Sequence, residues 1–285
     1  MDRLKHNRAA SLTLLALIYL LAGAVGVAIY RHLSYPLWGN LLLADAAATV
    51  VVFAFSVLLG NASVYDPYWS VQPMVILCGY MITGKPTGYS VLLFLAVCFW
   101  GVRLTANWAY TFGDLTHQDW RYTMLRETTG ALYPIVNFGG IHMVPTLIVY
   151  LCTLPAVYVT ERGVPGNLPA RLLLLVCVGS ALLQGTADVQ MHKFRRAHTG
   201  TFIRTGLWKY SRHPNYLGEI LMWWGVALSA VCALGGSFRL LLGAAANTAL
   251  FLIVSIPMAD RRQAKKPGYD AYRAATRMLL PIKKS

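Results

Sequence analysis

The run AASLTLLALIYLLAGAVGVAIY, residues 9–30, decides the fold class, because it holds no charged side chain along its whole length. At about 1.5 Å of rise per residue, a helix of that length spans a hydrocarbon core of about 30 Å. Tyr30-Arg31 closes the run with no small-residue cleavage site, so it reads as a retained span and not a cleaved signal. The same ruler, moved outward, finds apolar stretches near 41–60, 70–83, 89–110, 134–159, 170–191, 214–234 and 239–258, the stretch at 70–83 being short for a full crossing. The composition agrees: 56% of residues are hydrophobic and only 13% charged, about half the charge of a soluble domain. The mean hydropathy is +0.50. Disorder, a collagen-like fibre and a disulfide-rich secreted module are thereby excluded. The expectation is an all-α, polytopic integral-membrane bundle of about eight transmembrane helices.

Eight spans put both termini on one side, and the basic residues choose that side. The chain carries 25 Lys and Arg against 11 Asp and Glu, a net charge of +14. On the N-terminal side lie Arg3, Lys5 and Arg8, two in 111–133, six in 192–213 and eight after 258. The opposite side has Arg31, Lys85, Arg162, Arg171 and Arg239, while Arg103 sits inside a span. That bias predicts cytoplasmic termini and long loops, in the inner membrane if the chain is bacterial. The five cysteines (Cys78, Cys98, Cys152, Cys177, Cys232) all fall in apolar spans without CxxC or Cys/His spacing. They read as small buried hydrophobes, and no metal is implied. No GxGxxG follows a strand-like run, so a nucleotide, if bound, binds among helices.

Polar groups inside a membrane protein are costly and mark function. The densest stretch begins QGTADVQMHKFRR (184–196), where Gln184, Asp188 and Arg195 share one helix face. It continues as GLWKYSRHPNYLGE (206–219). Pro214 suits a first helical turn, with Arg212 and His213 before it and Asn215 and Glu219 one turn apart after it. Open N–H groups at such a start, beside cations, make a seat for phosphate.

This second segment resembles the C-terminal signature of the steroid 5-alpha-reductase and sterol reductase superfamily, most closely its bacterial members. The likeness covers roughly 60–285 and includes PMADRR (257–262), Pro267, Tyr269, Tyr272 and Pro281. It implies a seven-helix reductase core with an extra N-terminal helix, divided as N-terminal transmembrane helices at 1–60 and a catalytic domain at 61–285. It also implies NADPH, held at the cytoplasmic end of the bundle, and hydride transfer to an activated C=C bond of a lipophilic substrate. By position, Gln184, Asp188, Lys193, Arg195, Tyr210, Arg212, His213, Asn215, Tyr216, Glu219, Asp260 and Arg261 would contact the cofactor, Gln184 standing where steroid reductases often have Asn. A basic mouth suits this polyanion.

At the substrate end, SVYDPYWSVQP (63–73) places Asp66 where those reductases carry a Glu that grips an enone oxygen. The partner Tyr falls instead on Trp100, whose indole N–H donates a hydrogen bond but supplies no proton. Tyr65, Tyr68 or Tyr110 is the expected replacement. Asp66, Tyr68, Trp100 and Arg103 are therefore the catalytic candidates, although Asp66 before Pro67 also reads as a helix cap. Arg103 needs a partner at its depth, either Asp66 or a cofactor phosphate. Asp114, His117, Asp119, Trp120 and Arg121 read as loop capping, and Asp45, Asn137 and His142 as satisfied interhelical hydrogen-bonding groups. The expected partners are a lipophilic small molecule and membrane lipids, with no nucleic acid and no obligatory protein partner. Two other readings share parts of the pattern. One is a methyltransferase of the isoprenylcysteine carboxyl type using S-adenosylmethionine, which resembles the chain in Gly206, Arg212-His213-Pro214 and Gly218. The other is a non-catalytic lipid-binding membrane protein.

Overall fold

The computed structural model describes residues 5–281, so Arg3, Lys283 and Lys284 of the basic count lie outside the described residues. The chain runs as helices α1 (Arg8–His32), α2 (Leu37–Leu59), α3 (Tyr68–Thr83), α4 (Gly88–Thr111), α5 (Trp120–Glu161), α6 (Leu168–Ala197), α7 (Pro214–Leu234), α8 (Phe238–Gln263) and α9 (Tyr269–Ala275). Among the described residues there is no strand, only one isolated bridge between Ser211 and Arg277. Seven helices (α1, α2, α4, α5, α6, α7 and α8) are long and apolar enough to cross a membrane. The chain is therefore a multi-pass membrane protein. The expected eighth span, α3, has 16 residues, about 24 Å of helix, short of the hydrocarbon thickness. Leu20 and Ile253 are 70% and 73% exposed, as side chains facing lipid must be. Cys152 and Cys177 are buried as expected, but Cys78 is exposed on α3.

Local chemistry sets the helix ends. The Asn7 side chain accepts the Ala10 N–H at the start of α1. Asn167 does the same for Ala170 at the start of α6. Such caps satisfy amides that a helix leaves open. Pro214 opens α7, where its missing N–H costs nothing. Gly60 and Gly235 close α2 and α7 at positive φ. Residues Val136–Met143 of α5 and Phe251–Ser255 of α8 are π-helical.

The chain divides into two compact units, one made of the residues up to Cys78 with Leu104–Leu154, the other of Gly79–Arg103 and everything from Pro155 onward. In the first unit, α1 buries the stripe Ser11, Leu15, Ile18, Ala22 and Gly26. A Cβ at Gly26 would stand 3.3 Å from the Ala44 carbonyl and 3.5 Å from Ala48 Cβ of α2, a small-residue crossing that suits packing in lipid. In the second unit, α6 and α7 pack along most of their length. A Cβ at Gly218 would fall 2.5 Å from Gln184 Cγ, and one at Gly225 would fall 2.7 Å from Cys177 Sγ. Bare glycine is what lets these two backbones approach.

Candidate functional site

The close approach of α6 and α7 brings buried polar groups together in the second unit. Gln184 and Asp188 stand one turn apart on α6, and Asn215, Glu219 and Trp223 succeed one another at single turns on α7. Trp100 and Arg103 stand three residues apart on α4. Glu219 is 4% exposed and Trp100 fully buried. One oxygen of Glu219, Oε2, accepts the Trp100 indole N–H at 2.8 Å and the Gln184 amide at 3.1 Å. The other, Oε1, accepts the Trp223 indole at 2.9 Å. The two indoles meet edge to face with centroids 4.9 Å apart. Gln184 Oε1 in turn accepts from Arg103, whose other terminal nitrogen holds Asp188 at 2.7 Å. Asp188 is also hydrogen-bonded to Asn215. The result is one continuous network from Asp188 through Arg103 and Gln184 to Glu219, with Arg103 Nε buried and without a hydrogen-bond partner. Such a network, with each carboxylate and amide joined to at least one neighbour, holds its members in fixed orientation.

Two sequence expectations change here. Arg103 pairs with Asp188 and Gln184, a pairing that was not among those foreseen. Trp100 spends its single donor on Glu219 and so stands with the α6–α7 network.

A second knot lies where α7 begins. Asp260 Oδ1 accepts from His213 Nε2 at 3.0 Å and from the Tyr269 hydroxyl, and Oδ2 accepts from Arg212 at 3.0 Å. Arg212 also donates to the Thr276 and Arg273 carbonyls at 2.7 and 3.2 Å, and its backbone N–H reaches the Arg277 carbonyl at 3.0 Å. Tyr272 donates to the Trp208 carbonyl at 2.5 Å. A cation on the last carbonyls of α9 is favourably placed against the helix dipole. Arg212, His213 and Asp260, expected to contact the cofactor, fasten α9 to the loop before α7. Tyr216 stacks on His213 with centroids 5.3 Å apart and meets Phe251.

The remaining cofactor candidates, Lys193, Arg195, Tyr210 and Arg261, are exposed. Arg195 joins Arg262 and Lys266, which the sequence reading had not singled out. Desolvation, and then the charges of Arg195 and Arg262, push the Lys266 ammonium below its ordinary value.

In the first unit, Asp66 accepts the Tyr122 hydroxyl at 2.5 Å, and its backbone N–H closes the 3-10 turn Ala62–Tyr65 on the Ser63 carbonyl. Burial pushes its carboxyl up to about 6 against the pull of Arg121 and the Tyr122 hydrogen bond. The tyrosine hydroxyl that meets Asp66 is thus that of Tyr122, a residue outside the set Tyr65, Tyr68 and Tyr110. Tyr65 bonds to Thr146 at 2.8 Å and Tyr68 to Asp45 at 3.3 Å. Nothing in the local sequence links Tyr122 to a residue 56 positions earlier. Asp119 caps α5, accepting the Arg121 N–H at 2.9 Å, and Asp114 accepts from Thr116 at 2.9 Å, as loop capping predicts. Asn137 and His142 depart from expectation: each keeps a buried atom, Oδ1 and Nε2, with no hydrogen-bond partner among the described residues.

The DUF1295 family, described as "Protein of unknown function (DUF1295)", matches residues 52–276, which contain every candidate residue above. An uncharacterized protein of Schizosaccharomyces pombe, C594.04c, is 25% identical over 235 residues, 72% of this chain and 67% of its own length. No solved structure matches significantly. With both polar networks inside the matched region, and that region covering most of the sequence, the chain belongs to the DUF1295 family.

Proposed function

We propose that this chain is an NADPH-dependent membrane reductase acting on an activated C=C bond of a lipophilic, steroid-, sterol- or enoyl-like substrate. The observation that carries this reading is the gathering of three cations, Arg195, Arg262 and Lys266, with the first two close enough for their charge to depress the Lys266 ammonium. Like charges gathered in this way are stabilised by an anion, and a dinucleotide with a 2′-phosphate is such an anion. The residues fit the cofactor on a second count. Three N–H donors occupy Glu219, and a carboxylate has about four acceptor sites. Glu219, Gln184 and Asn215 would hold an amide or ribose hydroxyl, and Arg195, Arg262 and Lys266 the phosphates. When bound, NADPH supplies a hydride to the electron-poor carbon.

The protein's own part is to orient and to exclude water. The buried Trp100 and Trp223 fix the Glu219 carboxylate, and Arg103 fixes Asp188. In the first unit, the Asp66–Tyr122 pair has the properties of a proton-donating group near neutral pH, since its carboxyl is raised to about 6. The resemblance of residues 206–219 to the steroid and sterol reductases supports the same reading. A cytoplasmic position for the basic loops would put them where NADPH is available.

Purified protein tests this directly. NADPH should raise the melting temperature and S-adenosylmethionine should not, and Arg195→Ala together with Lys266→Ala should remove the shift. Losing one charge-assisted contact costs about 1.5–3 kcal/mol, roughly ten- to hundredfold in affinity. A shift with S-adenosylmethionine alone would favour the methyltransferase reading. No shift with either nucleotide would leave a lipid-binding role.

A further inference from the structure

The first unit buries a line of hydroxyl groups that the reductase reading does not use. Asp45 lies within α2, 6% exposed, and among the described residues it has no ion-pair partner. It accepts from the Gln72 amide and, at 3.3 Å, from the Tyr68 hydroxyl. Tyr68 is also hydrogen-bonded to Thr49, one turn along α2 from Asp45. Thr49 Oγ1 lies 3.1 Å from Thr146 Oγ1, which lies 2.8 Å from the Tyr65 hydroxyl. Thr49 and Thr146 are at most 1% exposed and Tyr65 2%. Every intermediate group is a hydroxyl, at once donor and acceptor.

Two bare acceptors flank this line. His142 Nδ1 is 2.9 Å from the Asn137 carbonyl and so carries the ring proton. Its Nε2 is then an acceptor, buried and without a partner, on a ring 4.8 Å from that of Tyr65. Gln72 Oε1, beside Asp45, is likewise buried without a partner. His142 sits in the π-helical stretch of α5, a local geometry often found at functional sites. Plain interhelical bonding would use one or two hydroxyls and would leave no acceptor open.

We infer that Asp45, Tyr68, Thr49, Thr146 and Tyr65 form a buried proton relay, with Asp45 as the group that stores the proton. Asp45 rests as the neutral acid, and in that state the Tyr68 contact reverses: the carboxyl O–H donates to the Tyr68 oxygen and the Tyr68 hydroxyl turns to Thr49. Its proton passes to the Tyr68 oxygen as Tyr68 passes its own to Thr49, Thr49 to Thr146 and Thr146 to Tyr65. One proton leaves the Tyr65 hydroxyl, no electrons change hands, and Asp45 is left as a carboxylate bonded to Gln72 until a proton taken up from water at the Tyr65 end returns along the same line. The other titratable groups around the line are His142 on α5, Asp66, and Tyr19 of α1, which feels Tyr65 and Tyr68. The use of that proton rests on the reductase reading: hydride addition to a conjugated C=C leaves an electron pair on the neighbouring carbon, and that chemistry consumes one proton for each hydride.

Infrared spectroscopy of the full chain in lipid nanodiscs, without nucleotide or substrate, tests the relay separately from that reading. At neutral pH the wild type minus Asp45→Asn difference should contain the carbonyl band of a neutral carboxylic acid that shifts in D2O. Thr49→Val and Thr146→Val keep Asp45 and the side-chain shape, and each should slow deuteration of that band at least about tenfold. Thr153→Val, buried on α5 outside the line, should leave it unchanged. Absence of the band, or unchanged exchange in both Thr variants, overturns the relay. If Asp45→Asn does not fold, the Thr variants still decide the matter from the wild-type band. Loss of the NADPH shift with the infrared result intact would remove the reductase reading alone.

Discussion

Replacing Gln184 by Leu asks whether the network around Glu219 is held as described. The substitution keeps the side-chain bulk against Gly218, where the Gln184 stem fills the space that a Cβ would occupy. It removes the amide donor 3.1 Å from Glu219 and the acceptor of the second Arg103 nitrogen. Hydrogen bonds to charged groups contribute about 1.5–3 kcal/mol each, which would give about 3–6 kcal/mol for the two. Both partners keep other contacts, Glu219 with Trp100 and Trp223 and Arg103 with Asp188, so neither charge is abandoned. The expected loss is therefore about 3–4 kcal/mol, the lower part of that range. The assay is unfolding in mild detergent followed by tryptophan emission, since Trp100 and Trp223 flank the lost amide. The emission spectrum of the folded variant should also move, because both indoles donate to a carboxylate that has lost a partner. A loss below about 1 kcal/mol with unchanged emission would refute the bridge, and with it the continuity of the network from Asp188 to Glu219.

Three further outcomes follow from the same geometry. Asp66 has a folded-state carboxyl raised to about 6 by burial, against about 3.9 when unfolded. The folded state then binds the proton more tightly, stability falls as pH rises from about 4 to 6, and Asp66→Asn should flatten a slope worth roughly 1–3 kcal/mol in pH-dependent unfolding. Arg212→Ala removes the guanidinium that joins Asp260 to the carbonyls of Arg273 and Thr276. Leaving Asp260 short of its cation costs about 3–5 kcal/mol, and limited proteolysis should cut between α8 and α9 faster than in wild type. Gly218→Ala would set a methyl group 2.8 Å from the Ser180 carbonyl, forcing α6 and α7 apart. It should cost about 1–3 kcal/mol in the unfolding assay, whereas Gly179→Ala, with open space around it, should cost nothing measurable.

What could be read from the sequence was what a single helix determines. Apolar length gave the spans, Pro214 gave the start of α7, and i,i+4 spacing put Gln184 with Asp188 and Asn215 with Glu219. Periodicity says which side chains share a face and leaves open which helices face one another. The pairings of Arg103 with Asp188, Trp100 with Glu219, Arg212 with Asp260 and Asp66 with Tyr122 join residues 48 to 119 positions apart. A charge at membrane depth announces that it needs a partner, but several carboxylates can supply it. Arg103 was for that reason assigned too narrowly, to Asp66 or a phosphate.

One signal could have narrowed the choice. Gly218 and Gly225 stand seven residues apart on α7, and Cys177 and Gln184 stand seven apart on α6. Small residues repeating every two turns mark the seam along which helices in a lipid environment come closest. The structure runs the two pairs against each other in opposite order, Gly218 at Gln184 and Gly225 at Cys177. Helices that antiparallel and that close must bring the residue after Gly218 to the Gln184 amide. Glu219 is that residue, and its 3.1 Å contact with Gln184 is the consequence of the seam. The polar network therefore depends on two side chains that are absent as much as on those present. Enlarging either glycine should uncouple Gln184 from Glu219 without altering a single polar group.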